Sequence, residues 1–203
     1  LASNAVTAIL ESADGTMWFG TANGMSSLSR NNWTIYRSLD DLPPGQVNCL
    51  LEDSGGAIWI GTDNGIAVLR SGQIAVPRQA PEPFHEAILG VAEDRQGRLW
   101  ISTANHTLRV DRDKLLGGVI GEADVREFGL ADGLRSVEGV KRHRSVVMDS
   151  LGQIWLSTYR GLSLVAPLQV ADITVPAIAH IDGVIADGSA VDLLGAVRIP
   201  GGR

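Results

Sequence analysis

The stretch "EDSGGAIWIG", residues 52–61, is a near copy of "ESADGTMWFG", residues 11–20. Two further versions follow, and all four stack when aligned on tryptophan. They read "VTAILESADGTMWFGTANGMSSL" (6–28), "VNCLLEDSGGAIWIGTDNGIAVL" (47–69), "ILGVAEDRQGRLWISTANHTLRV" (88–110) and the looser "HRSVVMDSLGQIWLSTYRGLSLV" (143–165). Trp18, Trp59, Trp100 and Trp155 mark the period, with gaps of 41, 41 and 55 residues. Gly15, Gly56, Gly97 and Gly152 each stand three residues before the tryptophan. Thr21, Thr62, Thr103 and Thr158 each stand three after it. A period near 40 is that of propeller blades and of some helical arrays.

The local code decides between those two. Around each tryptophan the apolar residues are β-branched or aromatic, as in "IWI" and "MWF", which is strand chemistry. The upstream "SADG", "DSGG", "DRQG" and "DSLG" are turns, with Asp accepting backbone N–H groups and Gly taking the left-handed position. Asn23-Gly24 and Asn64-Gly65 read as tight type I′ hairpins with positive φ at both residues. Arg160-Gly161 is a weaker version, and Asn105-His106 lacks the glycine. The first unit is then expected as strands Val6–Glu11, Thr16–Thr21, Met25–Leu28 and Trp33–Tyr36. Four short antiparallel strands per unit make a propeller blade. The repeated Trp, Gly and Thr are expected to be structural: the indole fills the wedge between blades, and the threonine hydroxyl satisfies a turn backbone group.

The bulk numbers agree with a packed protein. Of 203 residues, 44% are hydrophobic and 20% charged, which argues against disorder. The net charge of −6 disfavours nonspecific nucleic-acid binding, because phosphate neutralisation needs a basic surface. Cys49 is the single cysteine, so no disulfide forms within the chain. No apolar run approaches the ~18 residues of a membrane-spanning helix. The chain starts "LASNAV" and stops at "RIPGGR", and is expected to be a fragment of a longer protein.

The pattern from Glu52 to Ile66 resembles the two-component regulator propeller repeat. "LASNAV" resembles that family's linker, and "ADGLRSVEGV" (131–140) resembles the variant that precedes a last blade. The resemblance covers roughly residues 1–166 and implies an all-β fold of about four blades, part of a larger ring. Residues 167–203 resemble the start of an immunoglobulin-like β-sandwich, the triple-tyrosine domain. Pro176, Ile178, Ile181, Asp182 and Gly183 are the matching positions. Departures are Ser102 and Ser157 for the Gly before Thr, Met148 for the Glu of the fourth unit, and an insertion around "RDKLLGGVIGEADV".

In that family the propeller is the extracytoplasmic sensor half of a membrane histidine kinase, a hybrid two-component protein or a diguanylate cyclase. The resemblance thus implies a periplasmic, non-catalytic sensing module of an inner-membrane protein. Its expected partners are a small-molecule or glycan ligand, further blades of the same chain, and a second copy in the full-length homodimer. No nucleic acid, cofactor or metal is expected. The alternatives are a propeller lyase or hydrolase resembling virginiamycin B lyase, and a binding or scaffold propeller. A sandwich after the last blade favours the sensor.

Candidate chemistry is sparse. The acidic pairs Glu52-Asp53 and Glu93-Asp94, with Glu11 and Asp149 as partial equivalents, recur with the blade and read as turn caps, since a catalytic pair is needed once. His85, His106, His143 and His180 share no short metal-ligand spacing. The basic "KRHR" (141–144) is either a rim cluster for an anion or acidic sugar, or a solvated loop. Propellers place ligands over the channel mouth on linkers that vary. The candidate ligand-binding residues are therefore Asn4, Gln46, Phe84, His85, Glu86, Arg142 and His143. Four blades close only the smallest ring, so an incomplete ring, or edge pairing between copies, is expected.

Overall fold

The computed structural model describes residues 1–37, 41–142 and 144–169, and the short strands Val184–Ala186 and Ser189–Val191. The chain divides into two compact units, Leu1–Val170 and Ala171–Arg203. The turn Pro167–Gln169 therefore stays with the first unit.

The first unit is four antiparallel meander sheets. The first holds β1 (Val6–Glu11), β2 (Met17–Thr21), β3 (Gly24–Ser29) and β4 (Asn32–Tyr36). The second holds β5 (Val47–Glu52), β6 (Ile58–Thr62), β7 (Gly65–Arg70) and β8 (Gln73–Ala75). The third holds β9 (Ile88–Glu93), β10 (Arg98–Thr103), β11 (Thr107–Asp111) and β12 (Val125–Phe128). The fourth has three strands among the described residues: β13 (Val146–Met148), β14 (Ile154–Thr158) and β15 (Gly161–Val165). Pro167, one residue past Ala166, opens a 3-10 turn; its ring removes a ladder donor. The first strands lie side by side, β1 by β5, β5 by β9 and β9 by β13, as blades do around an axis.

Three apolar clusters fill the three gaps between blades. Met25, Leu10, Trp18 and Tyr36 meet Val47, Ile58, Ile60 and Leu69 in the first. Trp59 and Val68 meet Ile88, Leu99 and Ile101 in the second. Trp100 and Phe128 meet Val146, Ile154 and Leu156 in the third. Each blade thus has a back face, which carries the tryptophan, and a front face that receives the previous blade's tryptophan. Trp59 and Trp100 are fully buried.

The tryptophan also makes a bond that packing alone does not require. Trp59, Trp100 and Trp155 each donate their indole N–H to the aspartate six residues earlier, Asp53, Asp94 and Asp149, at 2.8 Å. The other carboxylate oxygen accepts the turn N–H groups, for example Gly55 and Ala57 on Asp53. In the first blade Ser12 takes the indole at 3.0 Å and is itself held by Asp14. The turn-cap reading of the aspartates is correct but incomplete: one carboxylate ties the turn to the wedge. The glutamate just before it works differently. Glu52 accepts Ala13 N–H at 2.7 Å, and Glu93 accepts Ser54 N–H at 2.6 Å, so each reaches back to the previous blade. Met148 cannot do this, and Arg95 instead donates to the Ser150 carbonyl.

Two turn readings change. The hairpin between β2 and β3 pairs Thr21 with Gly24, so Ala22 and Asn23 are its central residues, and neither has positive φ. Asn23-Gly24 and Asn64-Gly65 are therefore not type I′ turns. The threonine shapes the loop: its hydroxyl accepts Asn23 N–H and donates to the Gly24 carbonyl at 2.8 Å. Positive φ at both central residues occurs at Arg30-Asn31 and Ser71-Gly72, which join the third strand of a blade to its outer strand.

The extra residues of the third unit fall between β11 and β12. They form a short helix, α1 (Arg112–Leu116), capped by Asp111. Leu115 and Ile120 enter the core between the second and third blades, and Ile120 N–H bonds the Gln79 carbonyl of the segment after β8. Substituted glycines are compensated too. A Cβ on Gly61 would lie 2.5 Å from Cys49 Sγ and 2.8 Å from Ile88. In the third blade Ser102 stands there, and the approaching linker residue is Gly139, where a Cβ would lie 2.4 Å from the Thr103 carbonyl.

The front of the first blade and the back of the fourth stay exposed, so the described blades form an open array. In the second unit β16 (Val184–Ala186) and β17 (Ser189–Val191) pair as a hairpin. Pro176, Ile178, Ile181, Asp182 and Gly183 lie outside the described residues.

Candidate functional site

The two ends of the blade array differ in kind. One end, the turn end, carries the loops β1–β2, β5–β6, β9–β10 and β13–β14. Its polar groups are the repeated ones, and they are bonded to the scaffold. Asp149 shows the effect: the Trp155 indole and the Gln153 N–H hold its carboxyl below the usual value of 3.8. Asp14 is lowered in the same way by Thr16 N–H and the Ser12 hydroxyl. Between the inner strands lies a cavity of about 430 Å³, lined among others by Leu10, Leu51, Glu52, Glu93, Arg144 and Met148. Glu93 there is held by Arg112 at 3.0 Å.

The other end, the linker end, carries the connections between blades and the β2–β3, β6–β7 and β10–β11 hairpins. Asp63, in the β6–β7 hairpin, pairs with Lys141 Nζ at 2.7 Å across 78 residues of chain. Asn48 Nδ2 also donates to it at 3.0 Å. Burial acts to raise the Asp63 pKa, but the Lys141 and Asn48 hydrogen bonds and the ammonium charge overcome it, and the carboxyl sits below 3.8. Gln46 joins this group through a 3.3 Å bond to Asn48.

A second cavity, about 320 Å³, lies beside it, lined by Leu42, Pro43, Pro44, Asn64, Pro77 and His85 together with Phe84. Its walls are mostly proline and aliphatic, which suits a flat apolar surface with few polar groups placed for orientation.

Of the candidate residues, Gln46 sits in the Asp63 network and His85 is exposed at the second cavity. Phe84 is buried in the core between the second and third blades while one side faces that cavity. Glu86 is turned to a local task. Burial acts to raise its pKa, but bonds from Thr103, Asn105 and His106 hold it below 4.5. It replaces, in the third blade, the hairpin carbonyl that Thr21 and Thr62 use. Asn4 and Arg142 are exposed; Arg142 follows Lys141 directly. His143 lies outside the described residues.

Sequence reasoning missed Asp63 and Asn48, and read Lys141 only as part of the basic "KRHR" cluster, not as the partner of an aspartate. A signal existed: the hairpin reads "TAN" in the first and third repeats but "TDN" in the second. Among the described residues, no group of three or more His, Cys, Asp or Glu side chains is placed to hold a metal ion. No described helix is long and apolar enough to cross a membrane.

The family model described as "Two component regulator propeller" matches residues 1–23, 41–64 and 83–105. No curated protein matches the chain. Among solved structures, an extracellular domain described as part of a one-component system of B. thetaiotaomicron aligns with TM-score 0.68 and 24% identity over 81% of this chain and 24% of that one. A second extracellular domain from the same organism, described as part of a hybrid two-component system, gives 0.66 and 19% over 82% and 22%. Virginiamycin B lyase from Staphylococcus aureus, solved inactive with quinupristin, gives 0.54 and 20% over 81% and 57%. At these identities the likeness is one of fold, a β-propeller. This chain spans about a quarter of the length of the two extracellular domains.

Proposed function

Because the chain carries repeats of the two-component regulator propeller family, we propose that it is the ligand-sensing part of a membrane signalling protein, on the extracytoplasmic side. The output partner is a histidine kinase or a diguanylate cyclase, and the propeller itself performs no chemistry.

The observation that carries this reading is the contrast between the two ends. The repeated carboxylates at the turn end are bonded to tryptophans, turn N–H groups and arginine. The unrepeated polar residues Asn48, Asp63 and Lys141 gather at the linker end, beside a cavity with apolar walls that has His85 and the repeated Asn64 at its edge. Such a cavity takes one face of a small molecule or of a sugar ring in a glycan, stacked on Pro43, Pro44 and Pro77. The Asp63–Lys141 pair links the second blade to the segment before the fourth. A ligand that competes for either partner would loosen that link between blades.

Calorimetric titration with a panel of mono- and oligosaccharides and small aromatic metabolites tests this. A hit should weaken at least about tenfold in His85→Ala or Asn64→Ala, the scale of one orienting hydrogen bond. Binding that ignores both substitutions would sink the assignment of the site. Turnover of a bound compound would sink the sensor reading in favour of the lyase.

A further inference from the structure

The cavity beside the Asp63 network is short of hydrogen-bond donors. Its deepest lining is Leu42, Ile66 and Phe84, all fully buried. Pro43, Pro44 and Pro77 also line it, and a proline has no backbone N–H to offer. The Phe84 N–H already donates to the Pro81 carbonyl at 3.0 Å. The Asn64 amide nitrogen donates to the Pro44 carbonyl at 3.0 Å, while its amide oxygen has no donor among the described residues. Among those residues no lysine or arginine lines the cavity, and the neighbouring Lys141 is paired with Asp63.

The charge on this lining is Asp41, and its setting is unusual. It is exposed, and its backbone is left-handed, with φ 63°. An aspartate there is ordinarily held by a local side-chain hydrogen bond. Asp41 makes no hydrogen bond or ion pair among the described residues. The linker before the fourth blade offers a comparison. Gly133 has φ 94° and precedes the buried Leu134, as Asp41 precedes the buried Leu42. Each leucine enters the core between the two blades that its linker joins. Glycine takes this backbone without steric cost, so the turn itself does not call for aspartate. What Asp41 adds is a carboxylate at the cavity mouth.

Taking this cavity as the ligand site proposed above, we infer that its ligand is a small organic cation, a primary ammonium on a body with one ring. The ring lies on Pro43, Pro77 and Phe84. The ammonium donates to the Asp41 carboxylate, with the Asn64 amide oxygen as a second acceptor. An ammonium has three donors and no acceptor, the complement of a wall that accepts more than it gives. The charge-assisted bond fixes its orientation, and the net charge of −6 draws cations toward the chain. A volume of about 320 Å³ stands at the small end for organic ligands and suits one ring. An acidic sugar would instead set its carboxylate against Asp41. Arylalkyl amines and amino sugars both present the required ammonium.

Amide NMR titration of the 203-residue chain with two matched trios tests this. One trio is phenethylamine, phenethyl alcohol and hydrocinnamate; the other is glucosamine, glucose and glucuronate. In one trio the amine should bind about tenfold more tightly than the neutral member, and the carboxylate most weakly. The responding trio tells an aryl amine from an amino sugar. Asp41→Asn removes the charge without breaking a bond. It should weaken the amine about tenfold and leave the neutral member unchanged. A neutral or anionic member that binds as tightly as its amine, and is weakened by Asn64→Ala, overturns the cation and leaves the cavity a ligand site. An amine that ignores Asp41→Asn but responds to Asn64→Ala does the same. An amine indifferent to Asp41→Asn, His85→Ala and Asn64→Ala alike removes the site as well. No binding by any member up to about 10 mM overturns the inference too.

Discussion

The turn end repeats its bonds, while the linker end keeps one repeated bond, from threonine to the hairpin glycine in the first, second and fourth blades, and adds others that each occur once. At the turn end an aspartate joins turn and indole in three blades, and Ser12 with Asp14 does so in the first. At the linker end the second blade offers Asp63 to Lys141, and the third turns Thr103 to Glu86. The fourth keeps the simple Thr158-to-Gly161 bond. Repetition at one end shows which side chains a blade needs in order to exist. Variation at the other shows where the chain could change without losing its blades, which is where a propeller acquires a ligand.

The largest break of this comparison should come from the wedge. Trp59→Ala removes a fully buried indole and orphans the second oxygen of Asp53. It should cost about 3–5 kcal/mol, measured by urea unfolding. Trp155→Ala, in the half-exposed back face, should cost clearly less in the isolated monomer. Equal losses would mean that the wedge is not what buries the indole.

Gly61→Ala comes next. The added methyl meets Cys49 Sγ at 2.5 Å and Ile88 Cγ2 at 2.8 Å, so two blades must part. Overpacking of this kind costs about 1–3 kcal/mol. Ser102→Gly, at the same place in the third blade, should be nearly neutral, because Gly139 already makes room and the Ser102 hydroxyl is buried with no bonding partner. If Gly61→Ala unfolds at the same urea concentration as the native chain, close approach does not explain the glycine.

These contrasts show what was legible beforehand. The strands were readable because β-branched and aromatic residues alternate with turn residues at a fixed period, and Val6–Glu11 matches the expected first strand. The hairpins were misread because Asn-Gly suggests a type I′ turn locally, whereas Thr21 and Thr62 shape those loops with their side chains. The indole–carboxylate bond was present as a constant spacing of six and went unread, because both residues already had sufficient roles. The linker-end network was harder. Asp63 and Lys141 meet through the arrangement of blades, and a contact that occurs once leaves no pattern of spacing in one sequence. Only the departure of "TDN" from "TAN" marked it.

The smallest effect is the most specific to the linker end. Lys141→Met removes the cation beside Asp63 without touching a blade core. Both partners are well exposed, at 47% and 36%, so the stability change should be only about 0.2–1 kcal/mol, toward the lower end in salt. The titration should move far more visibly. Asp63 is now held below 3.8, so its contribution to stability is present above that value and fades as pH falls through the lowered one. Without Lys141, burial acts on Asp63 with only the Asn48 and Gln46 donors against it, and its pKa should rise. Carboxyl NMR titration of Asp63 reads that rise directly, while Asp149, held by Trp155 at the turn end, should not move. A shift at Asp149 would show that the two ends are coupled through the blades. A still Asp149 with a raised Asp63 would show that the linker end can change its charge state while the scaffold stays as it is, the condition a ligand-responsive face must meet.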